Sequence, residues 1–260
     1  MTQADPEASG SAKDRRAYFE ELYREQQEPW TYGSRAAEVL RHDFLARTVR
    51  RLRPHSHRIL DVGCSVGQLT ARLAGASDEV HAMDLSPVAV RRARARCLTW
   101  NPDAGSGGVR TDFRFYVGSG MSLPFRPETF DLVLMCDGFE SWRLTPEEQT
   151  RTLQHVHPLL VPGGLLILSD HLKPRQFDPF LGRVRESPFE VVSVRYLHNR
   201  LWYSFERGLR PVKELAPTRA LLASLGVARA LGALASLAGR HGAKHLCVVS
   251  RKKDGGRDER

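Results

Sequence analysis

Residues 58–70 read RILDVGCSVGQLT, which combines a short apolar strand, a glycine turn and the start of a helix. The apolar run ends at Gly63, and helix-forming residues resume after Gly67. A glycine turn at the carboxyl end of a strand lets a ligand approach the backbone, and the following helix offers free N–H groups. The pattern therefore predicts a crevice at the end of a parallel strand that can hold a nucleotide.

An acidic residue ends the next predicted strand. Residues 80–86 read VHAMDLS, and Asp84 stands 17 positions after Gly67. In a parallel sheet this position lies at the tip of the neighbouring strand, where a carboxylate accepts hydrogen bonds from ribose hydroxyls. We therefore predict that the glycine turn and Asp84 bind one ligand together.

Three further motifs follow in order along the chain. They are LPF at 123–125, FDLV at 130–133 and LVPGG at 160–164. With the glycine turn and MDLS at 83–86, they resemble the ordered motifs of class I S-adenosylmethionine (SAM) methyltransferases. Five motifs in one order are a specific signal, whereas a glycine turn alone is a weak one.

A dinucleotide-binding dehydrogenase is the competing interpretation of the glycine turn. The spacing from Gly63 to Gly67 is shorter than the dinucleotide pattern, and no second nucleotide-binding half follows. The resemblance to methyltransferases instead implies a Rossmann-like α/β fold, with a seven-stranded, mostly parallel sheet and helices on both faces. Its antiparallel edge is predicted at residues 189–196 and 245–250, with helices between these two strands.

The chain divides into a catalytic domain with additions. Residues 14–54 contain two amphipathic helices, which the resemblance places over the cofactor as a lid. Residues 55–250 form the predicted methyltransferase domain, in which residues 198–243 are a helical insertion that caps the acceptor pocket. We expect residues 1–13 to be disordered and residues 251–260 to form a charged, loose tail.

The N-terminal region resembles one group of these methyltransferases. YFEELY at 18–23, EPW at 28–30 and Glu38 are similar to the opening of the NodS-like group of N-methyltransferases, whose type member methylates an amino sugar. The resemblance implies that Trp30 and Tyr32 lie near the methionine end of SAM. The alternative is that both aromatic side chains pack the two helices together.

The resemblance also implies a set of residues around SAM. In the resembled enzymes an aspartate often follows the third strand and binds the adenine amino group, and this chain has Ser119 there. A serine hydroxyl accepts a weaker hydrogen bond than a carboxylate does. The predicted SAM-binding residues are Trp30, Tyr32, Asp61, Gly63, Cys64, Ser65, Gly67, Asp84, Leu85, Ser119, Gly120, Met121 and Cys136.

In the resembled fold the acceptor meets the methyl group at the end of the fourth strand, where residues 136–142 read CDGFESW. Methyl transfer is an in-line displacement at a sulfonium, so the enzyme holds the nucleophile against the methyl group. A carboxylate or a histidine can take the proton of the nucleophile. The candidates are Asp137, Glu140 and His171 at the predicted tip of the fifth strand. The alternative is that Asp137 caps the following turn and Glu140 lies on the surface.

The net charge of +9 is concentrated late in the chain. Between residues 171 and 250, 13 basic residues stand against five acidic ones. This excess indicates either a solvated surface or an anionic acceptor, such as a phosphate, sulfate, carboxylate or lipid headgroup. The insertion is predicted to form helices at 201–209 and 215–237. The leucine-rich helix 215–237 either packs in a helical hairpin or, with the flanking Arg219, Arg229 and Arg240, docks on a lipid or membrane surface.

Other features limit the function classes. No apolar run reaches ~18 residues, and the polar N-terminus lacks the apolar core of a secretory signal, so we expect a cytoplasmic protein. The four cysteines lack metal-ligand spacing, so we expect them to be reduced and expect no bound metal.

The sequence thus predicts a SAM-dependent methyltransferase that acts on an amine or hydroxyl of a small molecule and releases S-adenosylhomocysteine (SAH). A sugar, amino sugar or natural product is the favoured acceptor. An RNA or other nucleic-acid methyltransferase would use the basic C-terminal third, but an Asn/Asp-Pro-Pro-Tyr motif is absent at the end of the fourth strand. A non-catalytic SAM-binding protein would need no open acceptor pocket, and Ser65 and Ser119 leave that alternative open.

Overall fold

The computed structural model describes residues 12–53, 56–100, 111–139 and 143–253. The strands of these segments are β1 (Ser56–Val62), β2 (Ser77–Asp84), β3 (Asp112–Val117), β4 (Phe130–Cys136), β5 (Leu160–His171), β6 (Phe189–Leu197) and β7 (His245–Lys252). They form one sheet in the order β3-β2-β1-β4-β5-β7-β6. The pairs among β1 to β5 are parallel, and β7 is antiparallel to both β5 and β6.

Helices connect and flank the strands. Those in the described residues are α1 (Ala12–Glu25), α2 (Ala36–Leu52), α3 (Gln68–Arg72), α4 (Pro87–Thr99), α5 (Pro146–Val156), α6 (Pro174–Glu186), α7 (Arg200–Gly208), α8 (Ala216–Ala223) and α9 (Leu225–Ser236). The predicted Rossmann-like fold, a seven-stranded and mostly parallel sheet with an antiparallel edge, is confirmed.

The central strand β4 is covered on both faces, and this explains why its sequence is mainly apolar. Leu132 and Leu134 belong to one core cluster, whereas Val133 and Met135 belong to another. Successive side chains of a strand point to opposite faces of the sheet, so both faces of β4 are covered. The carboxyl ends of the parallel strands are consequently fixed in place at one edge, where a site can be built.

The ends of the described chain differ from the predicted boundaries. Helix α1 begins at Ala12, inside the segment 1–13 that was expected to be disordered, and residues 1–11 lie outside the described part. Strand β7 continues to Lys252, inside the predicted tail, and residues 254–260 also lie outside the description.

The segment between β6 and β7 is helical, but its long predicted helix is divided. Ser224 leaves the helical conformation with ψ 111°, and its hydroxyl accepts a hydrogen bond from the N–H of Val227 at 3.3 Å. Helix α8 therefore ends at Ala223, and α9 starts anew. Within the described residues, no single helix is long and apolar enough to cross a membrane, although α8 and α9 together, bent by 58°, have the length and composition.

Candidate functional site

The carboxyl ends of the parallel strands open into a pocket with an empty volume of about 1080 Å³, which we call the strand-tip pocket. Its walls come from the glycine turn, the tips of β2 and β4, the loop after β3 and the α1–α2 region. All predicted SAM-binding residues except Gly67 line it: Trp30, Tyr32, Asp61, Gly63, Cys64, Ser65, Asp84, Leu85, Ser119, Gly120, Met121 and Cys136.

The glycine turn places its backbone toward this pocket. Gly63 has φ 81°, and the position where a Cβ would stand has no atom within 4 Å. Gly67 has φ 78°, but a Cβ there would lie 2.8 Å from the Cα of Ala93 in α4. Gly67 therefore does not line the pocket; it permits the close packing of the turn on α4. Ser65 adopts a left-handed φ of 52°, a conformation that glycine adopts with less strain.

Asp84 ties the tip of β2 to the glycine turn. One carboxylate oxygen accepts a hydrogen bond from the N–H of Ser65 at 2.9 Å, and the other accepts one from the N–H of Ser86 at 3.0 Å. Burial raises the pKa of Asp84 above its ordinary value. A carboxylate offers about four acceptor positions, so Asp84 keeps acceptor capacity for a ligand hydroxyl.

Asp61 differs from Asp84 in its surroundings. Its carboxylate accepts a hydrogen bond from the hydroxyl of Thr70 at 2.6 Å. Burial raises the pKa of Asp61 to about 6. The carboxyl is still mainly ionised at physiological pH, so it can accept a hydrogen bond from a ligand.

The α1–α2 region closes over the pocket through polar contacts. The hydroxyl of Tyr23 donates to the hydroxyl oxygen of Ser65 at 2.7 Å, and the indole N–H of Trp30 donates to the hydroxyl oxygen of Tyr23 at 3.1 Å. The guanidinium of Arg15 donates two hydrogen bonds to the carboxylate of Glu148 in α5, with N···O distances of 2.5 Å and 3.2 Å. These contacts hold α1 and the following loop against the strand tips.

Asp137, at the end of β4, belongs to a buried ionic cluster. The hydroxyl of Tyr32 donates to Asp137 Oδ2 at 3.0 Å, and Arg41 donates to the same oxygen. Arg41 also binds Glu38 at 2.7 Å. Burial alone would raise the pKa of Asp137, but the charge and hydrogen bond of Arg41 lead the opposing effects and hold the pKa below its ordinary value. Asp137 is therefore ionised, and its Oδ1 has no hydrogen-bond partner among the described residues.

A second cavity, with an empty volume of about 1930 Å³, lies beside the strand-tip pocket. We call it the basic cavity because six cations line it against three carboxylates. The cations are Arg35, Arg143, Arg207, Arg210, Lys213 and Lys244, and the carboxylates are Glu38, Asp137 and Glu206. Trp30, Tyr32, Asp137 and Arg143 line both spaces. The two spaces therefore share a wall.

His171, the predicted third candidate, lines the basic cavity at the end of β5. Its ring lies 5.0 Å from that of His245 and 5.7 Å from that of Tyr203, measured between centroids. Burial is the main cause that lowers the pKa of His171 to about 4, and it also lowers the pKa of Lys244 to about 8. His171 is therefore neutral at physiological pH. Glu140, the remaining candidate, lies outside the described residues.

Three residues of the described chain approach each other as metal ligands do. The ligand atoms of Glu38, Asp137 and His245 lie within 4.8 Å of one another. Arg41, however, forms ion pairs with both carboxylates at the centre of this group. The guanidinium thus already places a positive charge beside both carboxylates, and this single charge offsets one of the two.

Sequence reasoning missed the cationic part of the site. Arg41 lies on the buried face of α2 three residues after Glu38, and His42 lies beside it. Together with the buried Thr48 they make four polar residues on a helical face that is otherwise apolar, and this unusual pattern is the signal that would have identified Arg41. Lys244 and Arg143 carry no comparable sequence signal.

Comparisons with known proteins support one family. Residues 59–164 match the family model described as "Methyltransferase domain". The chain is 31% identical over 158 residues to 27-O-demethylrifamycin SV methyltransferase of Amycolatopsis mediterranei, covering 59% of this chain and 54% of the relative. The chain spans about half the length of the curated relatives it matches.

Solved structures share the fold. The N-methyltransferase NodS of Bradyrhizobium japonicum, in complex with SAH, superposes with a TM-score of 0.58 at 15% identity, covering 90% of this chain and 97% of NodS. The [4+2]-cyclase SpnF superposes with a TM-score of 0.55 at 23% identity, covering 82% of this chain and 81% of SpnF.

The family model matches 106 of the 260 residues of the chain. In these residues, and in the topology of its sheet, the chain is similar to class I SAM-dependent methyltransferases.

Proposed function

We propose that this protein transfers a methyl group from SAM to a hydroxyl or amine of a small anionic acceptor. One observation carries the proposal: Asp137 lies both on the strand-tip pocket and on the basic cavity. A methyl donor in the first space and an acceptor in the second would meet at this residue.

The residues of the strand-tip pocket suit SAM. Asp84 has acceptor positions left for the ribose hydroxyls, and the backbone at Gly63 is open to a ligand. In this proposal Ser119 to Met121 border the adenine, and Trp30 and Tyr32 border the methionine end. SAM supplies the electrophilic methyl group of the reaction.

The charges of the basic cavity favour an anionic acceptor. Glu38 and Asp137 are each paired with Arg41, and Glu206 is paired with Arg35 at 2.8 Å. Arg207, Arg210 and Lys244 form no ion pair within the described residues, so the cavity carries an excess of positive charge. A cleft of one charge sign attracts ligands of the opposite sign. A phosphorylated or carboxylated small molecule therefore fits this cavity better than a neutral one.

We assign the orientation of the nucleophile to Asp137 in the shared wall and the uptake of its proton to His171 in the basic cavity. Ionised Asp137, which lines both spaces, orients the nucleophilic O–H or N–H. Neutral His171 takes the proton while the nucleophilic atom bonds to the methyl carbon and the carbon–sulfur bond breaks. The products are the methylated acceptor and SAH.

The first experiment is calorimetric titration of the full chain with SAH at two salt concentrations. Micromolar binding that changes little with salt supports the cofactor assignment. Absence of binding contradicts it. A nucleic-acid acceptor, the alternative use of the basic charge, predicts RNA binding that weakens steeply with salt. A non-catalytic SAM-binding protein predicts SAH binding without methyl transfer to any acceptor.

The second experiment compares anionic acceptors with neutral analogues in a methyl-transfer assay. We expect Arg207→Gln to raise KM for an anionic acceptor about fivefold, as the loss of one cationic contact would, and to leave KM for its neutral analogue and SAH affinity unchanged. Arg185→Gln, an exposed change on α6 away from the cavity, is the matched control. Equal KM changes for both acceptors would contradict an anionic site.

A further inference from the structure

Helix α9 has apolar residues on both of its faces. Leu225, Ala228 and Leu231 face inward, where they pack in a cluster with Trp202 of α7 and Ala36 of α2. Exposed residues recur at helical spacing on the outward side of the helix. They are Gly226, Arg229, Ala230, Ala233, Leu234 and the following Leu237. A helix that is apolar all round is normally covered on both sides. We call this exposed side the outer face of α9.

Several exposed leucines, rather than a single one, lie on the outer face and near it. Leu234 is 57% exposed and Leu237 is 82% exposed, and Leu215 and Leu221, before and within α8, are exposed as well. Single exposed apolar residues are normal on protein surfaces, but a concentration of them on one segment marks an interaction site.

Cations accompany these leucines. Arg229 lies on the outer face itself, Arg219 lies on α8, and both are exposed. Within the described part of the chain neither arginine forms an ion pair. The surface thus offers apolar side chains together with positive charge, which is the composition of a segment that lies on an anionic lipid surface.

We propose that α8 and α9 dock on an anionic lipid bilayer, with the outer face of α9 in the headgroup region. The inner face stays packed on α2 and α7, and the 58° bend between α8 and α9 lets the pair lie along a surface. Leu222 of α8 also lines the basic cavity, so docking brings this cavity close to the headgroups. The docking does not depend on the proposed methyl transfer.

Charge argues against two other occupants of the outer face. In an isologous dimer each protomer would set its own Arg229 and Arg219 toward the same cations of its partner, which is unfavourable. Nucleic acid would match the arginines but would leave Leu234 and Leu237 against phosphates.

The test is co-sedimentation of the full chain with vesicles of phosphatidylcholine alone and of phosphatidylcholine with 30% phosphatidylglycerol, roughly the anionic range in which basic segments bind. We expect binding to the anionic vesicles and at least tenfold weaker binding to the neutral ones. The double variant L234E/L237E should bind anionic vesicles at least tenfold more weakly than the wild type. R219Q/R229Q should bind them at least fivefold more weakly, with less dependence on salt.

Leu98→Glu is the matched control. Leu98 is 71% exposed on α4, beside β2 and β3, and this variant should bind vesicles as the wild type does. Circular dichroism and thermal unfolding check that each variant is folded. Absence of vesicle binding by the folded wild type overturns the proposal, and so does equal binding by the wild type and L234E/L237E. A dimer that L234E/L237E dissociates, without vesicle binding, would assign the face to a second copy of the chain instead.

Discussion

At the scale of single residues, Asp84 has two functions that can be separated. Its carboxylate holds the glycine turn through Ser65 and, in our proposal, binds the ribose hydroxyls of SAM. We expect Asp84→Ala to weaken SAH binding at least tenfold because both functions are lost, and a hydrogen bond to a charged group contributes about 1.5–3 kcal/mol. Asp84→Asn keeps one acceptor oxygen and should weaken SAH binding less. Calorimetric titration measures both, and near-normal SAH binding by Asp84→Ala would remove the ribose assignment.

Substitutions of Asp137 and His171 should affect methyl transfer, whereas substitutions of Asp84 should affect cofactor binding. Asp137→Asn loses the ionised acceptor at the shared wall, so we expect kcat to fall about 100-fold while SAH affinity stays within a factor of two or three. His171→Gln removes the proton acceptor and should lower kcat by a similar factor. The measurement is steady-state methyl transfer beside SAH titration for each variant. An unchanged kcat would exclude the residue concerned from the proton transfer.

The residues differ in how well a single sequence predicts them. Asp84 follows from its spacing after the glycine turn, because the carboxyl ends of adjacent parallel strands are close in space. Arg41 contacts Asp137 across 96 positions of sequence, and such a contact depends on how α2 packs on the sheet. Local spacing contains no information about that packing, so the buried ionic cluster was not predicted.

At the scale of elements, Glu148 connects the start of α5 with α1. Its side chain accepts a hydrogen bond from the N–H of Thr145 at 2.9 Å in a capping box, and it also binds Arg15. Glu148→Gln keeps a capping acceptor but loses the ion pair, whereas Glu148→Ala loses both. We expect Glu148→Ala to lower the free energy of unfolding by about 1 kcal/mol and Glu148→Gln by about half of that or less.

The same pair of variants tests the predicted lid. Because Arg15 lines the strand-tip pocket and depends on Glu148 for its position, both variants should release SAH about two- to fivefold faster than the wild type. Stopped-flow dissociation measures this rate. Equal dissociation rates in all three proteins would show that the ion pair does not hold the lid.

Elements were predicted best where local chemistry determines them. Strand β4 covers residues 130–136, whose sequence is apolar apart from Asp131, as expected of a strand that is covered on both faces. The division between α8 and α9 was missed, since Ser224 acts as a cap only if the chain turns there. Helix α6, which was not predicted, buries Phe177, Phe180, Leu181 and Val184 at helical spacing, a pattern that the sequence does contain.

At the scale of the whole molecule, the basic cavity is the feature least accessible to sequence reasoning. Its cations lie just before α2, before α5, within and after α7, and before β7, which are far apart in the chain. The excess of basic residues after His171 was compatible with an anionic ligand and equally with a solvated surface. Only the packing of the insertion against α2 brings these charges to one side of Asp137.

The pH dependence of stability is a further property of the whole molecule, and Asp170 provides the test. Burial raises the pKa of this fully buried carboxyl to about 7, and the charge of Asp137 adds to the effect. The folded state therefore holds the proton of Asp170 more tightly than the unfolded state does. The stability that this proton contributes is complete below about pH 4, the unfolded value, and is lost as pH rises to about 7.

Asp170→Asn replaces this carboxyl by a group that is neutral at every pH. The variant should therefore match the wild type near pH 4 and exceed its free energy of unfolding by about 1–3 kcal/mol above pH 7. Urea denaturation of both proteins between pH 4 and 8 measures the difference. Burial lowers the pKa of His245 well below its ordinary value, which destabilises both proteins equally in acid and cancels in the difference. Asp178→Asn, an exposed change on α6, is the control, and a gain that does not grow with pH would contradict a protonated Asp170.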